Sequence, residues 1–263
     1  MRVTLVIFFA AVSAVFAQDW EATVTPYAPG SFPELKPVHL QYSFGWGNVI
    51  AASLDLHITR PDGHYRLEGS GTTTGAARAL WKFDGKQTAV TDAHTLLPVE
   101  VHETEVARNK TSETEINFTA TGASSRREER RGSAVKSKTR EFAFPHLMSM
   151  SSALLYLRSQ ALTDGTVERI VVYPATTAYL CTVSVRGHER LTVPAGSYDA
   201  IKLDLQLTKI DKNRALKAHK KFKRATVWLS NDNDRLILRI EAQIFIGTVS
   251  ADLQSVQFDN AKP

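Results

Sequence analysis

The sequence predicts a mainly β protein: a single large curved antiparallel sheet, half-barrel or barrel-like, with one covering α-helix. Three observations carry that expectation. Apolar and polar residues alternate along several segments, tight-turn residues recur between those segments, and only one stretch shows helical periodicity. The composition is that of an ordinary globular chain. Of 263 residues, 43% are apolar and 22% charged, with 14 Gly, 10 Pro and one Cys. Disorder, collagen and a disulfide scaffold are thereby excluded.

The first 17 residues read as a secretory signal peptide. Arg2 gives a short positive region, Val3 to Val15 are largely apolar, and Val15-Phe16-Ala17 fits a small-x-small cleavage site. The apolar stretch is short against the roughly 20 residues of a membrane-spanning helix. Export with cleavage near Gln18 places the protein in the periplasm or outside the cell, soluble, with no transmembrane segment left. Residues 18–38 follow as a Pro-rich extended leader, because Pro26, Pro29, Pro33 and Pro37 defeat both helix and sheet ladder.

Residues 39–258 read as a single β-rich domain. Leu54, Leu56 and Ile58 alternate with polar neighbours, as do Ile201, Leu203, Leu205 and Leu207, and then Leu236, Leu238, Ile240, Ala242 and Ile244. A period of two gives each strand one core face and one wet face, the pattern of antiparallel sheet. Pro61-Asp62-Gly63, Asp84-Gly85, Pro194-Ala195-Gly196 and Asn231-Asp232-Asn233-Asp234 mark turns between such runs. The exception to the strand pattern is Leu147, Met150, Leu154, Leu157 and Ala161, an apolar stripe at three- and four-residue steps. Pro145 and Ser149 suit its start and Asp164-Gly165 its end, so a helix over 147–162 is expected to cover one face or mouth of the sheet.

The charges are segregated. Arg126–Arg140 holds seven basic and two acidic residues, and Lys209–Arg224 holds eight basic and one acidic, in a chain whose net charge is +5. The run 126–131 reads as a loop. An exported protein rarely meets nucleic acid, so a lipid headgroup, a lipoprotein or an anionic envelope polymer is the partner such segments suit. Solvated hairpin tips kept soluble by charge are the simpler explanation of both segments.

Motifs for catalysis are scarce. A Gly-rich phosphate loop, His-Glu-x-x-His, Cys-x-x-Cys and Gly-x-Ser-x-Gly are all missing, and Ser133-Ala134-Val135-Lys136 lacks the companions of a Ser-x-x-Lys enzyme. Eight histidines show no metal-ligand spacing, and the 231–234 cluster lacks the Gly and Glu that close a calcium loop. No catalytic residue, metal or cofactor is therefore expected. Cys181 sits in a strand-like run as a structural thiol. The candidate ligand-binding residues are Trp46, Trp81 and Trp228, whose rings could line a pocket inside the curved sheet, with Leu154 from the helix stripe.

Several segments together resemble a known family. They are Tyr42-Ser43-Phe44-Gly45-Trp46-Gly47, Thr73-Thr74-Gly75, Asp92-Ala93-His94-Thr95-Leu96-Leu97-Pro98 and Ser152-Ala153-Leu154-Leu155-Tyr156-Leu157-Arg158. Val193-Pro194-Ala195-Gly196-Ser197-Tyr198-Asp199-Ala200, Trp228-Leu229-Ser230-Asn231-Asp232 and Ile246-Gly247-Thr248-Val249 continue the series. In order and spacing, from about residue 40 to 254, they resemble the bacterial exported family known as domain of unknown function 3108. Leu236-Ile237-Leu238 departs from the pattern, which expects a Pro after the turn. The resemblance implies an envelope protein of mainly β structure and supplies no catalytic residues. Its plan is similar to the curved half-barrels of periplasmic lipid and lipoprotein carriers, a likeness of fold alone. The expected function is a non-enzymatic periplasmic binding or carrier protein for a lipid or lipidated partner. The alternative is a structural or assembly factor of the envelope that binds another protein.

Overall fold

A computed structural model describes residues 19–47, 49–219, 222–244 and 247–259, so the signal-peptide reading of 1–17 lies outside the described residues. The first strands form a meander of neighbours: β1 (Val38–Trp46), β2 (Val49–Thr59), β3 (His64–Thr73), β4 (Phe83–Asp92), β5 (Pro98–Ala107), β6 (Lys110–Thr119), β7 (Gly122–Arg131) and β8 (Ala134–Ala143). A short helix α1 (Gly75–Leu80) joins β3 to β4, and α2 (Met150–Ser159) follows β8. Then come β9 (Val167–Val172), β10 (Tyr179–Val193), β11 (Gly196–Ile210), β12 (Leu216–Ala218), β13 (Phe222–Ser230), β14 (Ile237–Ile244) and β15 (Gly247–Phe258).

All strands belong to one antiparallel sheet, ordered β8-β7-β6-β5-β4-β3-β2-β1-β15-β14-β13-β11-β10-β9, with β12 alongside β11. β15 pairs with β1, so the last strand joins the two halves at the centre. The sheet curls but does not close. Its edge strands β8 and β9 are linked instead by the chain that leaves β8. Met148 donates to Val171 O at 3.0 Å, and Tyr173 donates back to Met148 O at 2.7 Å. Ser125 Oγ on β7 meets the Tyr173 hydroxyl at 2.9 Å across the same gap.

Alternation explains most of the core. Leu40, Tyr42, Ile58, Leu238 and Leu253 from the central strands pack together on the concave side. β9 and β10 differ, because both faces are covered. Ile170, Cys181 and Val183 pack toward α2, while Val171 and Leu180 meet Val101, Ile116 and Ala123 of the opposite half. That double burial accounts for the unbroken apolar run Ile170-Val171-Val172-Tyr173.

α2 is shorter than the stretch 147–162 and more deeply placed. Ser149 caps it, accepting from Ser152 N, and Ser152 Oγ accepts in turn from Ser149 N. Its end comes at Ser159 rather than at Asp164-Gly165, because Gln160 is already extended. The sheet takes one side of the helix, and residues 24–37 cross the other as an irregular strap. Thr25 N donates to Arg169 O, Phe32 N to Ser159 O, and Tyr27 stacks on Tyr156. Gly30 is required there: a Cβ on it would lie 2.0 Å from Ser159 O. The basic run 126–131 is strand β7, not a loop; it pairs residue by residue with β6 and β8.

Candidate functional site

The concave face holds an apolar cavity of about 70 Å³ beneath α2. Leu40, Leu56 and Leu67 approach it from β1, β2 and β3; Leu205 and Val227 approach from β11 and β13; Leu154 and Leu157 close it from the helix. These positions follow from strand alternation on one side and from the helical step 154–157 on the other. Beside the cavity lies a wetter cleft of about 480 Å³, lined by Gly30, Phe32, Glu34, Tyr65, His94 and Ser159 among others. Leu155 and Arg158 line both spaces and form the wall between them.

Two buried arginines hold that wall. Arg158 donates from Nε to Asp234 O at 3.0 Å, from Nη1 to Pro33 O at 2.6 Å and from Nη2 to Asn233 O at 3.1 Å. Arg235 donates from Nη1 to Arg158 O at 2.8 Å and to Gln160 O, and more weakly from Nη2 to Ala161 O. It thus satisfies the orphan carbonyls at the end of α2 and sets a cation against the negative helix terminus. Both guanidiniums lie over the Phe32 ring, and neither forms a salt bridge with a described residue. Burial, with the neighbouring charge of Arg158 added, brings the Arg235 pKa down to about 10. Arg235 Nε is buried without a hydrogen-bond partner among the described residues.

Of the four candidate ligand residues, the structure brings only Leu154 to the cavity. Trp228 is buried on the opposite face of β13, donating from Nε1 to Glu189 beneath the Lys202 ammonium. Trp46 and Trp81 stand at hairpin tips, 55% and 57% exposed. The expected aromatic pocket is therefore not formed: Trp228 follows the wet-face alternation of its strand, Trp46 ends β1 at the exposed rim, and Trp81 lies in the connection between α1 and β4. The residues missed in the sequence are Arg158 and Arg235, whose charge gives no hint of burial. Cys181 is buried among apolar neighbours, and burial pushes its thiol up to about 12, far from a reactive thiolate. The 231–234 cluster is a turn in which Asp232 accepts from Ser230 Oγ, Asp234 N and Arg235 N. Among the described residues no group of His, Cys, Asp and Glu is placed to hold a metal ion. Nor is any helix long and apolar enough to cross a membrane.

Family comparison matches residues 40–254 to the model of a protein family of unknown function, DUF3108. The chain belongs to the DUF3108 family. No curated protein matches it. Among solved structures, this DUF3108 chain is similar to a β-barrel-like DUF1849 protein of Brucella abortus, at 8% identity and a TM-score of 0.60. That match covers 87% of this chain and all of the other. Two further matches have lower TM-scores. One is a protein from Bacteroides fragilis described as exported and of YmcC-like fold, at 0.37 and 8% identity over 88% of this chain and 100% of the other. The second, a protein of Parabacteroides distasonis described as a lipoprotein, scores 0.36 at 9% identity over 88% and 99%. At these identities the DUF1849 match establishes the β-barrel-like fold of the DUF3108 protein and nothing of its activity.

Proposed function

We propose that this DUF3108 protein is an exported, non-enzymatic binding or carrier protein that takes up the apolar chain of a lipid or lipidated partner. The carrying observation is the contact between the apolar cavity under α2 and the polar cleft, with Arg158 as their shared wall. An amphiphile needs that pair of environments: a dry slot for its tail and a wet, hydrogen-bonding one for its head. The cavity is smaller than the roughly 150 Å³ that admits benzene in an engineered core. A longer chain therefore enters only as α2 and the strap move outward. Gly30 and the Arg158 clamp, which hold that strap, set the energy of opening.

Native mass spectrometry of protein purified from an exporting host without detergent tests the reading. The expected result is added mass matching a fatty acid or phospholipid, released on denaturation. Leu154→Phe, which fills the cavity from the helix side, should remove it. A bare protein mass, together with failure to bind an added fatty acid, would overturn the proposal. Recovery of a protein partner alone would favour an assembly factor.

A further inference from the structure

In an antiparallel meander the alternate hairpin tips share one end of the sheet, and here that end gathers exposed large apolar side chains. Trp46, Val49 and Ile50 crown the β1–β2 tip, Leu80 and Trp81 the α1 connection, and Val135 the β7–β8 tip. Leu80 is 77% and Ile50 63% exposed. Contacts make the rim continuous. Trp46 Nε1 faces Gly247 of β15, Thr74 N donates to Ala51 O at 2.9 Å, and Arg108 donates to both Lys82 O and Leu80 O at 3.0 Å. Trp81, Arg108, Lys110 and Arg131 then line one shallow hollow.

The charged side chains at these tips that lack a described salt-bridge partner are all cations. Lys82, Arg108, Arg131 and Lys136 form no salt bridge with any described residue, whereas Arg78 and Lys110 are paired with Asp84 and Glu129. Large apolar side chains this exposed cost free energy in water, and a contiguous group of them marks an interaction surface. Exposed Trp beside aliphatic tips, interleaved with free cations, is the chemistry of a bilayer interface, where indole settles at headgroup level and Lys/Arg meet phosphate.

We propose that this rim is a docking surface for an anionic lipid bilayer. Trp46, Ile50, Leu80 and Trp81 enter the interface, and Lys82, Arg108, Arg131 and Lys136 contact lipid phosphates. Charge complementarity commits the site to anionic lipid. Docking goes beyond the carrier reading and does not require it. If both hold, the concave stripe Tyr42, Phe44, Trp46 on β1 runs from the cavity toward the bound membrane.

The test uses vesicles of phosphatidylcholine with and without phosphatidylglycerol, read by co-sedimentation and tryptophan emission. Trp20 and Trp228 are buried, so a change in emission reports Trp46 and Trp81. The expected result is binding with a blue shift on phosphatidylglycerol vesicles, weakened by salt. Arg108→Glu with Arg131→Glu should weaken it at least tenfold, taking about fivefold per neutralised charge. Trp46→Ser with Trp81→Ser should abolish the blue shift. Because all four side chains are at the surface, circular dichroism of the variants should match the wild type. No binding to phosphatidylglycerol vesicles, or binding indifferent to both variant pairs, would overturn the docking surface. Leu154→Phe, the cavity variant, should bind vesicles like wild type; loss of lipid cargo with docking intact would separate the two proposals.

Discussion

The two ends of the sheet are made by the same meander and finished in opposite ways. At the end near α2 the turns are sealed by their own polar groups. Asp92 Oδ1 accepts from His94 N, Thr95 N and Thr95 Oγ1, Asp232 closes the 231–235 turn, and Arg158 ties that turn to the strap. At the other end the tips carry Trp46, Ile50, Leu80 and Trp81 into solvent. One end spends its residues on fixing the fold, the other on presenting a surface. Substitutions at the first should act on stability and at the second on binding.

The largest expected effect lies at the buried centre. Leu253 on β15 is fully buried between Tyr42 and Leu238, and Leu253→Ala should cost about 3 kcal/mol, read as a lower urea midpoint at unchanged slope. A loss below about 1 kcal/mol would mean that the core there is loosely packed and the contrast between the ends is weaker. Gly30→Ala comes next. Its Cβ would collide with Ser159 O, so the strap must lift from α2 at a cost of about 2 kcal/mol. Proteolysis within 24–37 should accelerate with it, and an unchanged cleavage rate would count against the strap as the clamp on the helix.

Much of the sealed architecture is legible in the sequence, because it rests on local rules. The alternation of Leu54, Leu56 and Ile58 and of Ile201 to Leu207 locates β2 and β11, and Ser149 marks the start of α2. Where packing overrides the local pattern, the reading fails. The run 126–131 reads as a loop because the inward positions of β7 are polar: Ser125 meets the Tyr173 hydroxyl, Arg127 donates to Thr114 and Glu105, and Glu129 accepts from Lys110. Six residues of α1 are too few to show a period. The site was least legible: Trp signals bulk and hydrophobicity but not direction, and the buried Arg158 and Arg235 look in sequence like any exposed cation.

At the rim the same logic inverts. Trp46→Ser and Leu80→Ser together remove large side chains that touch little, so stability should change by less than about 0.5 kcal/mol. A larger loss in the urea midpoint would show that these residues pack against one another in solution. The rim would then be part of the fold rather than a free surface.

The smallest effect falls at the boundary between the two regimes, on β5. Val101 is core, while Glu103, two residues toward the rim on the same face, is half-buried beside Glu105. Burial, and then the Glu105 charge, raise the Glu103 pKa, with Arg127 opposing. A raised native value means that the folded state holds its proton more tightly than the unfolded chain. Its contribution is therefore present below the unfolded pKa, near 4.3, and is lost as pH rises through the native value. Glu103→Gln cannot ionise and escapes that loss. The variant should match wild type near pH 4 and exceed it at pH 7 by about 0.5 kcal/mol, since Arg127 and solvent both screen the group. Urea midpoints at the two pH values measure the gap. A gap of equal size at both would assign the effect to packing rather than charge, and would place the boundary of the sealed region beyond Glu103.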